Sequence, residues 1–311
     1  MSGSCLLIFL SVFLFFCRCG GRDFSDPALR PKVIGIIPAG VLGPEIGSNR
    51  PLKAPADIAV NDRGEIFIAD YGNDRVVKLG PDGGFLAECG GSGSQASSMK
   101  GPVSVAVDNV SNVYVIDSGN SRVMIFDFRL NHISSQTGFW RGQLVSFRYL
   151  TAIKVGRGGY IYLGDDGLGG CYKLDPFFGY VNNFGEIGSH LEIGYPAGIA
   201  IAPDSRIVVA DRLRRKIVIF DDFGMPMAAY DTRLAQAPNS VGITPNGTIW
   251  TIDKSGLNGL DRRGNVIVAW SGVDFGSSIS LSAVCPSGDT LLYLADAGLS
   301  RILLLKPLYG D

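Results

Sequence analysis

Histidine is nearly missing from this chain: His132 and His190 are the only two in 311 residues. Two imidazoles are too few for a zinc centre held by several histidines. No GxSxG, P-loop or HExxH motif occurs, which removes the nucleophile elbow, the nucleotide phosphate cradle and the zincin helix from consideration. Charge bias is missing too. The 28 basic and 29 acidic residues leave a formal charge of −1. A near-neutral chain has no global electrostatic reason to bind nucleic acid, so no nucleic-acid partner is expected. Cysteine is sparse. Cys5, Cys17 and Cys19 lie near the start, and Cys89, Cys171 and Cys285 are widely spaced. Three thiols without a CxxC pair make neither a disulfide framework nor a structural zinc site, and they read as small buried residues.

What is abundant is glycine, 42 residues, while only 18% of the chain is charged. Glycine-rich, turn-dense sequence with many β-branched residues points to an all-β fold. The first segment differs from the rest. Leu6–Phe16 (LLIFLSVFLFF) is uncharged and apolar, too short to cross a bilayer and of the length of a signal-peptide core. Residues 1–20 are therefore expected to be an export signal, 21–30 a short linker and 31–311 the folded domain. Cys17 follows the apolar run in the manner of a lipobox, although Phe16 is larger than such sites prefer. Lipid attachment at Cys17 is favoured over ordinary cleavage near Cys19-Gly20, and this lipid is the only membrane contact expected.

One pattern returns six times: IFIADYGNDRVVKL (66–79), VYVIDSGNSRVMIF (113–126), IYLGDDGLGGCYKL (161–174), IVVADRLRRKIVIF (207–220), a shortened IWTIDKSGLNGL (249–260) and LYLADAGLSRILLL (292–305). Its aspartates are Asp70, Asp117, Asp165, Asp211, Asp253 and Asp296, spaced by roughly the length of a four-stranded propeller blade. An upstream half recurs as well, with Pro55, Pro102, Pro196 and Pro238 in one place. Proline there suits the first position of a strand, where no ladder donor is lost. The predicted fold is a six-bladed β-propeller of four-stranded antiparallel blades. The last repeat has sequence for only three strands, so residues 31–40 (PKVIGIIPAG) are expected to add its outer strand and close the ring.

These repeats resemble the NHL family over roughly residues 32–306. Its motif, a strand ending in Asp and then a loop with Asn and Arg, is carried by Asp70/Asn73/Arg75 and Asp117/Asn120/Arg122. Asp296/Arg301 and Asp211/Lys216 keep the charges. An Asp and a cation five residues apart bracket a tight turn, so these pairs are read as structural, since a catalytic group is needed only once around a ring. The resemblance implies that ligands bind on the face carrying the links between blades and the turns between second and third strands. Candidates there are Tyr71, Trp140, Arg141, Asp165, Asp166 and Arg212. Trp140 and Arg141 stand in the long link between the second and third blades, and aromatics beside arginines stack on sugars or anchor partners.

Some NHL-like enzymes use a channel zinc on several histidines, and sugar-lactonase-like propellers hold a metal with a Glu/Asn/Asp set. Neither set is evident among Glu45, Glu65, Glu88, Glu186 and Glu192, and no metal or other cofactor is expected. The sequence therefore favours a non-catalytic protein of the cell envelope presenting a propeller face to a protein or glycan partner. The alternative is a hydrolase or lyase working in the channel, with or without a metal.

Overall fold

Each repeat folds into one antiparallel four-stranded sheet, and six such sheets form the ring. A computed structural model describes residues 32–310 apart from 47–49, 93–95, 187, 190, 232–235, 254–255 and 276–278. The export segment with Cys17, and with it the division at residues 20 and 30, lies outside the described residues.

The burial of each strand follows its place in the blade. The inner strands are Pro55–Val60, Pro102–Val107, Leu150–Val155, Pro196–Ile201, Ser240–Ile243 and Leu281–Ser287. They touch one another in cyclic order, the first against the last, and so line the axial channel. The two middle strands of a blade, such as Ile66–Asp70 and Arg75–Leu79, are buried at every residue. A neighbouring blade covers each of their faces, which is why they read as continuous apolar runs rather than alternating ones. The outer strand Phe85–Gly90 is largely exposed. There is accordingly no single central core. Six apolar clusters lie between successive blades; one joins Val115 and Met124 of blade two to Phe67 and Val76 of blade one, and another joins Ile58 and Ile68 to Tyr293 and Ile302 across the first and last blades.

Ring closure uses the outer-strand position, as the sequence indicates. Val33–Leu42 pairs antiparallel with Arg301–Tyr309, completing the last sheet. Five inner strands carry an irregularity in register after their first residue, between Pro55 and Asp57 in blade one and between Pro102 and Ser104 in blade two, for example. A bulge of this kind re-aims the side chain that follows it, and at Asp57 that side chain belongs to the channel wall.

Candidate functional site

The repeated aspartates are the most buried acids among the described residues, and in Asp70, Asp117, Asp165, Asp211 and Asp296 both oxygens accept local hydrogen bonds. Asp70 accepts the Lys53 N–H at 2.7 Å, the Asn73 amide at 2.7 Å and Arg75 Nε at 2.7 Å. Asp117 repeats the set with Lys100 N–H at 2.7 Å, Asn120 at 2.8 Å and Arg122 Nε at 2.8 Å. Each carboxylate thus ties the segment that enters its blade to the turn between second and third strands. Asp296 does so with the Ser280 N–H at 3.0 Å and Arg301 at 3.0 Å. In blade three, where Gly170 stands in place of the arginine, Asp165 instead accepts four backbone N–H groups, those of Arg148, Tyr149, Gly167 and Leu168. Asp165 is buried and engaged, while its neighbour Asp166 is exposed.

Blade four departs from the expected pairing. Lys216 sits opposite Asp211 in the strand ladder, but its ammonium lies 3.4 Å from Asp231 on the next strand. Arg214 is the cation that approaches Asp211, at 3.8 Å. Strand register sets which backbones face each other, and a long lysine side chain then reaches whichever carboxylate lies along its own face.

Trp140 and Arg141 do not sit on the link face. Gly138–Trp140 and Leu144–Ser146 form a two-stranded hairpin outside the six sheets. Trp140 N–H donates to the carbonyl of Phe178 at 3.0 Å, in the turn after the third strand of blade three. That turn lies at the opposite end of the strand from Asp165. Phe139 and Phe147 are buried in the cluster between blades two and three. Phe139 stacks on Tyr180 at 6.0 Å and the Arg141 guanidinium lies 4.3 Å from the centre of the same ring. Burying these aromatics pulls the link down the side of the ring, leaving Trp140 61% exposed at its rim. Tyr71 and Arg212 are on the link face. Arg212 lies over Tyr195, 5.9 Å from the ring centre, and lines a depression of about 570 Å³ with Leu213, Arg215 and Gln236.

The channel holds a constellation that no motif announces. Its walls are mainly small side chains, such as Ala59, Ala106, Ala200 and Gly242. Two charged residues interrupt them. Asp57 Oδ1 accepts the Ile58 N–H at 2.8 Å, and Oδ2 accepts Ser104 Oγ at 2.7 Å and the Val105 N–H at 3.0 Å. Ser104 Oγ in turn accepts the Ile153 N–H at 3.2 Å, so one chain of hydrogen bonds crosses blades one to three. Lys154, from blade three, brings Nζ to 4.0 Å from Asp57 Oδ2. It lines both a cavity of about 60 Å³ shared with Asp57 and a cavity of about 170 Å³ toward Cys285, and so marks the waist of the channel. Other channel hydroxyls are spent on joints between blades: Thr151 donates to the Pro196 carbonyl at 2.6 Å and Ser282 to that of Pro55 at 2.6 Å.

A metal does not fit this site. Among the described residues no three His, Cys, Asp or Glu side chains converge, and the Lys154 ammonium beside Asp57 repels a cation. Cys171 is buried, and Cys89 and Cys285 are half-buried free thiols. Burial pushes Cys89 up to about 12 and Cys285 up to about 11, so neither is a thiolate near neutral pH.

Comparison with known proteins agrees with the architecture. A family profile described as NHL repeat matches residues 52–79, within one blade. No curated protein matches by sequence. Among solved structures, virginiamycin B lyase from Staphylococcus aureus superposes with a TM-score of 0.64 at 11% identity, over 88% of this chain and 99% of that one. A gluconolactonase from Xanthomonas campestris gives 0.65 at 14% identity, over 89% and 99%. The aldose sugar dehydrogenase of Streptomyces coelicolor, in its PQQ-bound form, gives 0.60 at 15%, over 89% and 99%.

At such identities the likeness shows the fold, a six-bladed propeller with an NHL-like segment. It also corrects the order of the two functional expectations. The sequence favoured a non-catalytic scaffold because a repeat ring without a known catalytic motif offers mainly surface. The matched propellers are a lyase, a lactonase and a dehydrogenase, so this architecture with eroded motifs is no argument against catalysis.

Proposed function

We propose that this chain is an enzyme of the hydrolase or lyase class whose reaction takes place at the channel waist, with Asp57 as base and Lys154 as its cationic partner. The observation that carries the reading is the Asp57–Lys154 separation of 4.0 Å inside a channel otherwise walled by uncharged residues, small or aliphatic. An oxygen at about 2.8 Å from both groups sits beside the line that joins them, so a water or substrate oxygen can bridge the pair from the channel. In hydrolysis of an ester or lactone, Asp57 accepts a proton from water as the water oxygen attacks the carbonyl carbon. The Lys154 ammonium stabilises the oxyanion. The C–O bond then breaks and the leaving alkoxide takes the proton back from Asp57. Ser104, 4% exposed and bonded on both sides, positions the carboxylate. The small cavity restricts the reacting group to a slender one.

The test is turnover of a panel of lactones and small esters by the full chain. Asp57→Asn keeps one oxygen to accept from Ser104 and Val105 while its amide meets the Ile58 N–H; it is expected to lower turnover by about 10²–10⁴-fold, the usual contribution of a positioned acid–base group, in a variant that circular dichroism shows still folded. Wild-type silence across the panel, or equal turnover by Asp57→Asn, would count against the reading.

The chain is further proposed to be an exported NHL-type propeller, on the strength of the apolar run Leu6–Phe16. Mass spectrometry of the mature N-terminus checks this. A lipid-modified Cys17 is expected, while an unmodified start at Gly20 points to free secretion and an uncleaved Met1 overturns export by this signal.

A further inference from the structure

The link face carries cations that the repeat places in register. The residue seventeen positions before the motif aspartate is Lys53 in blade one, Lys100 in blade two and Arg148 in blade three. In each case its own backbone N–H is bound by the buried carboxylate, of Asp70, Asp117 and Asp165 respectively. In the first two blades the carbonyl of the same residue is also held, by Gly72 N–H and Gly119 N–H at 2.8 Å each. The glycine of the turn makes room for the cation's stem. A β-carbon at Gly72 would lie 2.6 Å from Lys53 Cγ, one at Gly119 2.6 Å from Lys100 Cγ, and one at Gly167 2.5 Å from Arg148 Cβ. Blade four inverts the arrangement. Gly194 takes the cation's place and Leu213 the turn glycine's, with a β-carbon at Gly194 lying 2.9 Å from Leu213 Cδ2; the blade's exposed cation is then Arg212 from the turn itself.

Lys53, Lys100, Arg148 and Arg212 are all exposed, and none of them forms an ion pair with a described carboxylate. Three exposed or half-exposed tyrosines share their end of the blades. Tyr71, 48% exposed, packs beneath Gly101 between the first two cations. Tyr149, 71% exposed, follows Arg148, and Tyr195 lies under Arg212. Three exposed acids share this end as well, Asp166 and Glu186 in blade three and Asp231 in blade four, the last of them paired with Lys216. One face thus carries an exposed cation at a repeated position in each of blades one to three, and Arg212 over Tyr195 in blade four.

We propose that this crescent, running over blades one to four, binds an acidic oligosaccharide, its carboxylates on Lys53, Lys100, Arg148 and Arg212 and its sugar rings against the tyrosines. Clamped backbone fixes where each cation starts, so binding has side chains but no loop to order, and tyrosine offers a flat apolar face with a polar tip for sugar C–H and O–H groups. The proposal does not depend on the catalytic reading, because its residues lie outside the channel and its readout is binding.

The experiment titrates the full-length protein with a hexameric uronate oligosaccharide, with the neutral reduced form of the same oligosaccharide, and with a single-stranded oligonucleotide of equal charge, each at two salt concentrations. The uronate is expected to bind most tightly and to weaken with salt as counterions are released. Lys53→Gln with Lys100→Gln and Arg148→Gln should lower uronate affinity at least tenfold and flatten its salt dependence. These changes leave the clamping backbone N–H groups in place, so the melting temperature checks folding separately. Tyr149→Ala should weaken uronate binding several-fold without altering the salt dependence. Equal binding of the neutral form, tighter binding of the oligonucleotide, or full affinity in the triple variant would each overturn the proposal.

Discussion

Removing residues 33–42 is expected to lower the melting temperature by about 10 °C or more and to make the protein aggregate. The strand Val33–Leu42 covers the edge of Arg301–Tyr309 along almost its whole length. Without it, the last sheet presents a long row of unpaired N–H and C=O groups, a template for pairing with other chains. The loss extends into the core, since Val33 is buried in the cluster between blades five and six with Trp270, Leu281 and Leu303. A loss on the order of 6 kcal/mol in a chain of this size corresponds to a shift of about 10 °C. Differential scanning calorimetry with light scattering decides the matter. A truncated protein that melts at the wild-type temperature and does not aggregate would mean that closure through the outer strand contributes nothing.

Arg75→Ala is expected to cost about 3–5 kcal/mol, the range for removing one partner of a buried ion pair. Arg75 is 1% exposed and Asp70 wholly buried. The guanidinium donates to Asp70 at 2.7 Å, to Glu88, and to the carbonyls of Arg50 at 2.7 Å and Pro51 at 3.3 Å. Truncation removes the cation from a wholly buried carboxylate, which keeps only the Lys53 N–H and the Asn73 amide. The exposed pair Arg206–Asp204, 2.9 Å apart, supplies the contrast: Asp204→Ala should change stability by less than about 1 kcal/mol. Urea titration measures both. The Asp70→Ala/Arg75→Ala double variant should be less destabilised than the two single changes summed, because neither charge is then left alone. An Arg75→Ala cost no larger than that of Asp204→Ala would show that the pair is not the lock its burial implies.

The position of an aspartate in this repeat therefore decides its chemistry. Asp70 and Asp117 sit where the blade needs a lock between its entry segment and a turn. Asp57 has no acidic counterpart in the other five inner strands, where Ser104, Ala152, Gly198, Ser240 and Ala283 occupy the equivalent places. It joins blade one to blade two through Ser104 and Val105, and it is the carboxylate that the proposed reaction uses.

The repeat, the blade number, the locking aspartates and the closing strand were legible in the sequence because each rests on a local pattern. Apolar runs bounded by turns define strands, a recurring Asp defines the period, and a last repeat short of one strand demands a partner from elsewhere in the chain. The Asp57–Ser104–Lys154 constellation was not legible. Its members lie on three repeats, each within an ordinary apolar strand, and they meet only because ring closure sets inner strands side by side and a bulge turns Asp57 into the channel. Nor did sequence show that the Trp140 hairpin folds down the side of the ring, since that depends on where Phe139 and Phe147 find apolar cover. Lys216 reaching Asp231 instead of Asp211 is of the same kind. Local turn chemistry and burial period are properties of contiguous residues, whereas which charged side chains meet across blades is decided by the register and curvature of the closed ring.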